Sequence, residues 1–480
     1  MKQRTVFLLL FLVSLFVRLP FFFRDYIDRD ESTFILMGQS WVDGHLPYTE
    51  LWDLKPPITF LFFAGIIYIF GKSFVAIRLV GALIVAITAF YSYKIAVTTV
   101  TKKVGLWVAL GCVALQSMFG SLQGVMSEHI GVVFFLPALY IIIKHKNTLG
   151  IFVSGILTGL SVMTKLNMAY VALALGIYIL FYELRKKNYG AGIAKGFFFG
   201  LGISLVIFLT FLPYYIEGSS GVWWKSVVSA SLEYAGSRRY SLASFLPLTI
   251  TLGTFFYFGW KKKLLNFTDR TTQILSLTVL AILFTFIKGG RINGHYLIQL
   301  HPIFIILFGI WLSKVAVLKQ LNYKPYVLIL VLLLPAESYL EYYRILANKA
   351  ERGTFFNGEG ITVPHYIKKN NIATENILFF EYHIGYWRLN AKPPVKSATH
   401  PSTICRYELF PFFENPRKTA VEELKYIMEE IKPKTVVTRK NRSIFDPLLV
   451  EENLYINGYL SEFYERPQTV DQAEIFVRSE

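Results

Sequence analysis

Long apolar runs separated by short charged loops dominate the first 337 positions. Eleven such segments occur, at residues 4–23, 74–93, 104–119, 129–144, 148–164, 168–184, 194–212, 242–260, 272–287, 297–313 and 325–337. A helix needs about 20 predominantly apolar residues to cross a bilayer. The pattern therefore predicts an α-helical polytopic membrane protein of about eleven spans. The run at 5–23 is too long for the core of a signal peptide and no small-residue cleavage site follows it, so it reads as a retained first span. One further apolar stretch, 57–71, would be about 22 Å long as a helix, short of a ~30 Å hydrocarbon core.

Beyond residue 337 the pattern turns polar. Residues 361–370 and 419–431 repeat with helical period, and 376–380 and 435–438 read as short strands. The expected organisation is a transmembrane domain over 1–337 and a small extracytoplasmic α/β domain over 338–480.

Composition agrees: 54% of the 480 residues are apolar and 16% aromatic. The net charge of +17 comes from 49 Lys+Arg against 32 Asp+Glu. Residues 338–480 hold nineteen of each, so the whole excess lies in the first 337. A basic excess confined to loops between spans sets topology and argues against a nucleic-acid partner. With a cytoplasmic N-terminus and 57–71 not crossing, the cytoplasmic loops hold 18 basic and two acidic residues, the outer side 12 and 11. If 57–71 crossed, Lys261-Lys262-Lys263 would face outward. The stretch is therefore expected to be an interfacial or re-entrant helix of the first outer loop, in a protein of the plasma (inner) membrane. The two cysteines, Cys112 and Cys405, fall in a span and in the tail and predict no structural disulfide.

This topology puts the unusual polar residues on one face. The loop from Asp25 to Pro57 gathers seven carboxylates, Asp25, Asp28, Asp30, Glu31, Asp43, Glu50 and Asp53, whereas residues 58–337 contain six. Ionisable residues clustered on one face of a membrane protein point to a site there. Asp30-Glu31, at the start of an amphipathic segment, can hold a metal or act as general base on a hydroxyl, or can be a solvated acidic turn. Lys55, before Pro56-Pro57, sits on an extended backbone where it can meet a lipid phosphate or simply snorkel. Glu128 opens the fourth span and Lys165 closes the fifth. In Lys288-Gly289-Gly290-Arg291-Ile292-Asn293-Gly294-His295-Tyr296 two cations flank glycines, which suits a phosphate clamp or a turn with positive ends. Arg238-Arg239 lie on the same side. His365, His383 and His400 show no metal-ligand spacing and read as ordinary domain residues. There is no nucleotide-binding fingerprint, which argues against a nucleotide-sugar donor.

In this order the motifs resemble a known family. They are Asp30-Glu31, Lys55-Pro56-Pro57, Arg78-Leu79 opening a span, Glu128 opening the fourth span, Thr164-Lys165 ending the fifth, and His295-Tyr296 before a late span. Over roughly residues 1–310 the chain resembles the GT-C glycosyltransferases related to protein O-mannosyltransferases and to bacterial aminoarabinose transferases acting on lipid A. The resemblance implies transfer of a sugar from a polyprenyl-phosphate donor to a hydroxyl on the outer face of the membrane, with inversion. It implies Asp30 as the catalytic acid with Glu31 its neighbour, Glu128 as a second acid and Lys55 on the donor phosphate. Lys165, Arg291 and His295 match positions in the outer cavity. Lys288 joins the donor-phosphate group from its place beside Arg291. The expected partners are the lipid-linked sugar, membrane lipid, and a glycolipid, polymer or protein acceptor. No cofactor is required, with room for a divalent metal. Lys225 follows Trp223-Trp224 where oligosaccharyltransferases carry Asp-Tyr-Gly, which counts against transfer of a whole oligosaccharide. The alternative is a non-catalytic flippase for a lipid-linked saccharide, which would need polar residues in mid-membrane and two related halves.

Overall fold

The structure, a computed structural model, describes residues 2–25, 28–145, 147–237, 240–315, 333 and 335–479. The helices that matter here are α1 (Gln3–Arg18), α2 (Arg29–Val42), α3 (Pro57–Phe70), α4 (Phe74–Ala96), α5 (Lys102–Leu115), α6 (Ser127–Lys144), α7 (Thr148–Val162), α8 (Met168–Arg185) and α9 (Tyr189–Ile216). They are followed by α10 (Leu246–Lys261), α11 (Arg270–Gly289) and α12 (His301–Leu312). Among the described residues, seven helical segments are long and apolar enough to cross a membrane: Gln3–Phe23, Phe74–Ala96, Ser127–Lys144, Met168–Arg185, Tyr189–Ile216, Leu242–Lys261 and Arg270–Gly289. The expected segments at 104–119, 148–164 and 297–313 are helical but hold only 14, 15 and 12 residues as α-helix. The eleventh, 325–337, lies largely outside the described residues, as do Arg238-Arg239.

The chain divides into two compact units. The first is Met1–Phe21, Arg78–Leu212 and Ala235–Glu341. Here α6, α8, α11 and α12 share a core that includes Leu136, Leu175, Ile282 and Ile306. A second cluster joins α1, α4 and α5 through Leu10, Val85 and Cys112. In lipid there is no hydrophobic drive between helices, so close packing decides. Gly155 and Gly159 form a G-x-x-x-G pair on α7 against α9. A Cβ on Gly155 would stand 2.3 Å from the Phe199 carbonyl oxygen, and one on Gly202 2.5 Å from that of Phe152. Only glycine allows these two backbones to meet.

The second unit is Phe22–Ile77, Pro213–Tyr234 and Tyr342–Glu480. It groups the acidic first loop with the polar tail. The tail carries a four-stranded sheet of β1 (Leu378–Phe379), β2 (Thr435–Arg439), β3 (Gln468–Val470) and β4 (Ala473–Val477) in the order β1-β2-β4-β3. β1 runs parallel to β2, and the other pairs are antiparallel. Helices Glu359–Lys369 and Ala420–Lys425 lie where the period predicts them, and Val450–Phe463 is an addition the pattern did not suggest. Leu378, Val436, Ile427, Ile456 and Leu460 make the core. In the loop, α2 packs on α3 through Phe34, whose ring lies 6.3 Å from Phe60 and 5.8 Å from Phe63. Gly38 makes this approach feasible, because a Cβ there would meet the Phe63 Cβ at 2.8 Å. At 14 residues, α3 is about 21 Å long.

Candidate active site

Most of the predicted site residues gather in two polar centres, one in each unit. That of the second unit forms at the start of α2. Asp28 has extended backbone angles and caps the helix, its Oδ1 accepting from the Asp30 N–H at 2.8 Å. Such a cap satisfies an otherwise orphaned helix donor. It also separates the three crowded acids: Asp28 is spent on the cap, Glu31 is 1% exposed, and Asp30 projects into a partly open site.

Asp30 Oδ2 lies 3.2 Å from the Lys55 ammonium. Lys55 is held by its own backbone. Its N–H donates to Asp53 Oδ2 at 3.3 Å, and its carbonyl accepts from the Tyr48 hydroxyl at 2.6 Å. Pro56 then keeps the chain extended, and Pro57 opens α3 at the position where a missing N–H costs nothing. The ammonium also lies 5.3 Å from the ring centroid of Phe34, one turn along α2 from Asp30. Burial, with Tyr214 and Asp53 nearby, keeps the Tyr48 hydroxyl protonated well above the usual tyrosine range.

The other oxygen, Asp30 Oδ1, meets His400 Nε2 at 3.3 Å. The tautomer follows from the second ring nitrogen. His400 Nδ1 accepts from the Ser402 N–H at 3.3 Å, with the Ser402 hydroxyl 2.9 Å away. The neutral ring therefore carries its proton on Nε2 and donates it to Asp30. Behind it, His383 Nε2 contacts the Thr33 hydroxyl at 2.9 Å, and the two imidazoles stand 6.0 Å apart. Burial holds the His383 pKa well below its usual value, and the nearby His400 and Arg29 add to this. Arg29 pairs with Glu381, and the Trp52 N–H donates to the Thr399 hydroxyl at 3.3 Å. The structure thus brings His400 onto Asp30 and His383 onto Thr33, contacts that their spacing did not suggest. Partners 370 positions apart leave no local trace; the only hint was a histidine ahead of a proline in a polar tail.

The centre of the first unit forms where α6 begins. Glu128 is fully buried in the first turn, where the helix dipole favours a carboxylate. Its Oε1 pairs with the Lys165 ammonium, and its Oε2 accepts from the Ser127 hydroxyl at 3.0 Å. Lys165 follows α7 and lies 3.8 Å over the Tyr296 ring. His295 Nε2 is 3.9 Å from Glu128 Oε1, so the two motifs flanking this stretch converge on one acid. The loop that delivers Glu128 is clamped by Arg18, which donates to the carbonyls of Gln116, Leu122, Gln123 and Gly124 at 2.6–3.1 Å. His129 bridges the Met126 N–H and the Gln116 carbonyl.

The remaining two predicted residues stand apart from this cluster. Arg291 donates to the carbonyl and hydroxyl of Ser237 at 3.0 and 3.3 Å, which ties two loops together. Lys288 is exposed at the end of α11, before the left-handed Gly290. Among the described residues no three His, Cys, Asp or Glu side chains converge as metal ligands.

The family model described as dolichyl-phosphate-mannose-protein mannosyltransferase matches residues 54–214, about a third of the chain. Over that region the chain is similar to this family of membrane mannosyltransferases. Over its whole length the chain is similar to ArnT from Cupriavidus metallidurans. The apo structure of ArnT aligns with a TM-score of 0.63 at 14% identity, covering 98% of each chain. The structure of ArnT bound to undecaprenyl phosphate aligns with a TM-score of 0.61 at 14% identity, covering 99% of this chain and 97% of that one. A weaker likeness, with a TM-score of 0.44 at 12% identity, is to the Archaeoglobus fulgidus oligosaccharyltransferase in complex with Zn and sulfate; it covers 90% of this chain and 68% of that one. No curated protein matches the chain by sequence.

Proposed function

We propose that the protein transfers a sugar from a polyprenyl-phosphate donor to an acceptor hydroxyl with inversion, and that Asp30 is its catalytic base. The observation that carries this reading is the placement of Asp30, one oxygen on the Lys55 ammonium and the other on the His400 N–H. The acceptor O–H gives its proton to Asp30 as its oxygen forms the new bond to the anomeric carbon. The bond from that carbon to the phosphate oxygen breaks on the opposite face, and the electron pair leaves with the polyprenyl phosphate. Lys55 offsets charge developing on the phosphate, an effect strongest where water is scarce. His400 is a positioning residue that fixes the orientation of the Asp30 carboxylate. Glu31, buried beside Asp30 on the first turn of α2, is assigned to the catalytic group on the family resemblance.

Glu128, Lys165 and His295 form the second acidic centre, assigned to the donor on the family resemblance. Because Lys165 is already paired with Glu128, the two act as one unit. Arg291, held on Ser237, and the exposed Lys288 are assigned to the donor phosphate on the same resemblance. The transferase domain would span 1–337, with 338–480 as an extracytoplasmic domain. The N-terminus would be cytoplasmic and the acidic loop outside, in the plasma membrane, as the distribution of loop cations favours. ArnT has been crystallised with undecaprenyl phosphate, which supports a lipid-linked donor here. The acceptor is a glycolipid, polymer or protein. The chemistry requires no cofactor and leaves room for a divalent cation, which EDTA titration in the assay below decides.

The test is release of free polyprenyl phosphate by purified protein in lipid, with a panel of polyprenyl-phosphate sugars. Asp30→Asn should lower kcat by about 10²–10⁴, the usual weight of a general base, while donor still binds. An unaffected variant would remove Asp30 from the chemistry. Donor crossing the bilayer without turnover would establish the flippase instead.

A further inference from the structure

The tail contains an open cleft of about 780 Å³ that the proposed reaction does not use. Five of its lining side chains can be cationic: Arg352, His365, Lys368, Lys369 and Arg388. The one carboxylate in the wall, Asp471, is already engaged by Arg352, with contacts of 3.4 and 3.5 Å. The other four cationic positions therefore face a cleft whose only acid is taken.

A sixth cation adds to the imbalance. The Lys72 ammonium is fixed by the Trp387 carbonyl at 3.2 Å and by Asn390 Oδ1 at 2.6 Å, and the Lys368 ammonium donates to the Arg388 carbonyl at 2.9 Å. Partial burial holds the pKa of Lys72 below its usual value; Asp43 opposes this, while the fields of Lys368 and Arg388 add to it. Two backbone carbonyls and the Asn390 amide oxygen hold these like charges together, and Asp43 is the carboxylate that offsets them at Lys72. Such an arrangement favours an anion, which removes the repulsion and gains charge-assisted hydrogen bonds. The rest of the wall suits a sugar. Phe356 and Tyr366 provide aromatic surface between the cations. The volume lies within the range of small-ligand sites.

We propose that this cleft binds an acidic saccharide, a phosphate-bearing glycan of two or three rings, and that it is where the acceptor docks. The acceptor role rests on the glycosyl-transfer reading; the binding itself does not. The probe is maltose 1-phosphate, titrated calorimetrically into the full-length protein in phosphatidylcholine nanodiscs, with maltose and inorganic phosphate as controls. Saturable binding of the phosphorylated disaccharide is expected. It should weaken at ~0.3 M salt, because exposed cations are screened beyond about 5–6 Å there. The charge-reversed double variant Lys369→Glu/Arg388→Glu should weaken it about tenfold or more, with an unchanged melting temperature.

Equal binding of maltose, or an unaffected double variant, would overturn the anion site. Inorganic phosphate binding as tightly would overturn the saccharide assignment. Loss of binding in phosphatidylglycerol nanodiscs would replace the saccharide with a lipid headgroup. Asp30→Asn should bind the probe as the wild type does. If no donor turns over but the probe still binds through Lys369 and Arg388, the cleft stands and the transferase reading falls. If transfer proceeds and the double variant leaves the acceptor KM unchanged, the acceptor role of the cleft falls alone.

Discussion

Replacing His400 with alanine is the perturbation that most directly tests how the first loop is made competent. The imidazole gives Asp30 one hydrogen bond, at 3.3 Å, with the proton on Nε2 because Nδ1 accepts from Ser402. A hydrogen bond to a charged group contributes about 1.5–3 kcal/mol. This one is longer than the 2.7–2.9 Å typical of strong charged pairs, so the lower figure of about 1.5 kcal/mol applies. At 1.36 kcal/mol per decade, kcat should fall about tenfold. The donor KM should stay within about twofold, because the contact orients the base rather than binding substrate. His400→Gln, whose amide can still donate, should recover most of the loss. The assay is polyprenyl phosphate release at saturating donor, with the melting temperature of each variant as a check on folding. A folded alanine variant with wild-type kcat, or a loss confined to KM, would refute the positioning argument.

Three further outcomes follow from the packing and charge. Glu128→Gln leaves the Lys165 ammonium without its counter-charge in a buried site, which should cost about 3–5 kcal/mol in thermal unfolding; Glu128→Gln/Lys165→Met should recover at least half of it, and additive losses would deny the pair. Gly38→Val places a side chain where a Cβ already meets Phe63 at 2.8 Å; about 1–3 kcal/mol of stability should be lost, together with turnover, as α2 and α3 separate. His383 has a folded-state pKa well below its unfolded value near 6.5, so below that value the unfolded chain binds the extra proton. Its contribution is present above about pH 6.5 and lost as pH falls. The melting temperature should drop from pH 7.5 to 5.5 more steeply for the wild type than for His383→Gln, and equal slopes would place the titration elsewhere.

Much of the architecture was legible because membrane helices are written locally. A run of apolar side chains, a charged loop and another run need no knowledge of distant residues, since each spanning helix satisfies its own backbone hydrogen bonds. The same holds for α2 and α3, where an acidic first turn and a Pro-Pro pair announce the helix starts. The number of crossings was less legible. α5, α7 and α12 are shorter in α-helix than the apolar runs that predicted them, because a hydropathy run does not record where a helix stops.

What the sequence determined by itself was therefore the polytopic helical class, the polar α/β tail and the acids and cations from which a site could be built. What only the tertiary structure decided was their assembly. It spent Asp28 on a helix cap, buried Glu31, paired Glu128 with Lys165 and brought His295 to them, and tied Arg291 to Ser237. It also supplied His400 from a tail that carried no motif. The physical reason is the range of the interactions: caps, proline turns and apolar periodicity act within a few residues, whereas ion pairs and hydrogen bonds between remote segments exist only after packing has brought their partners together.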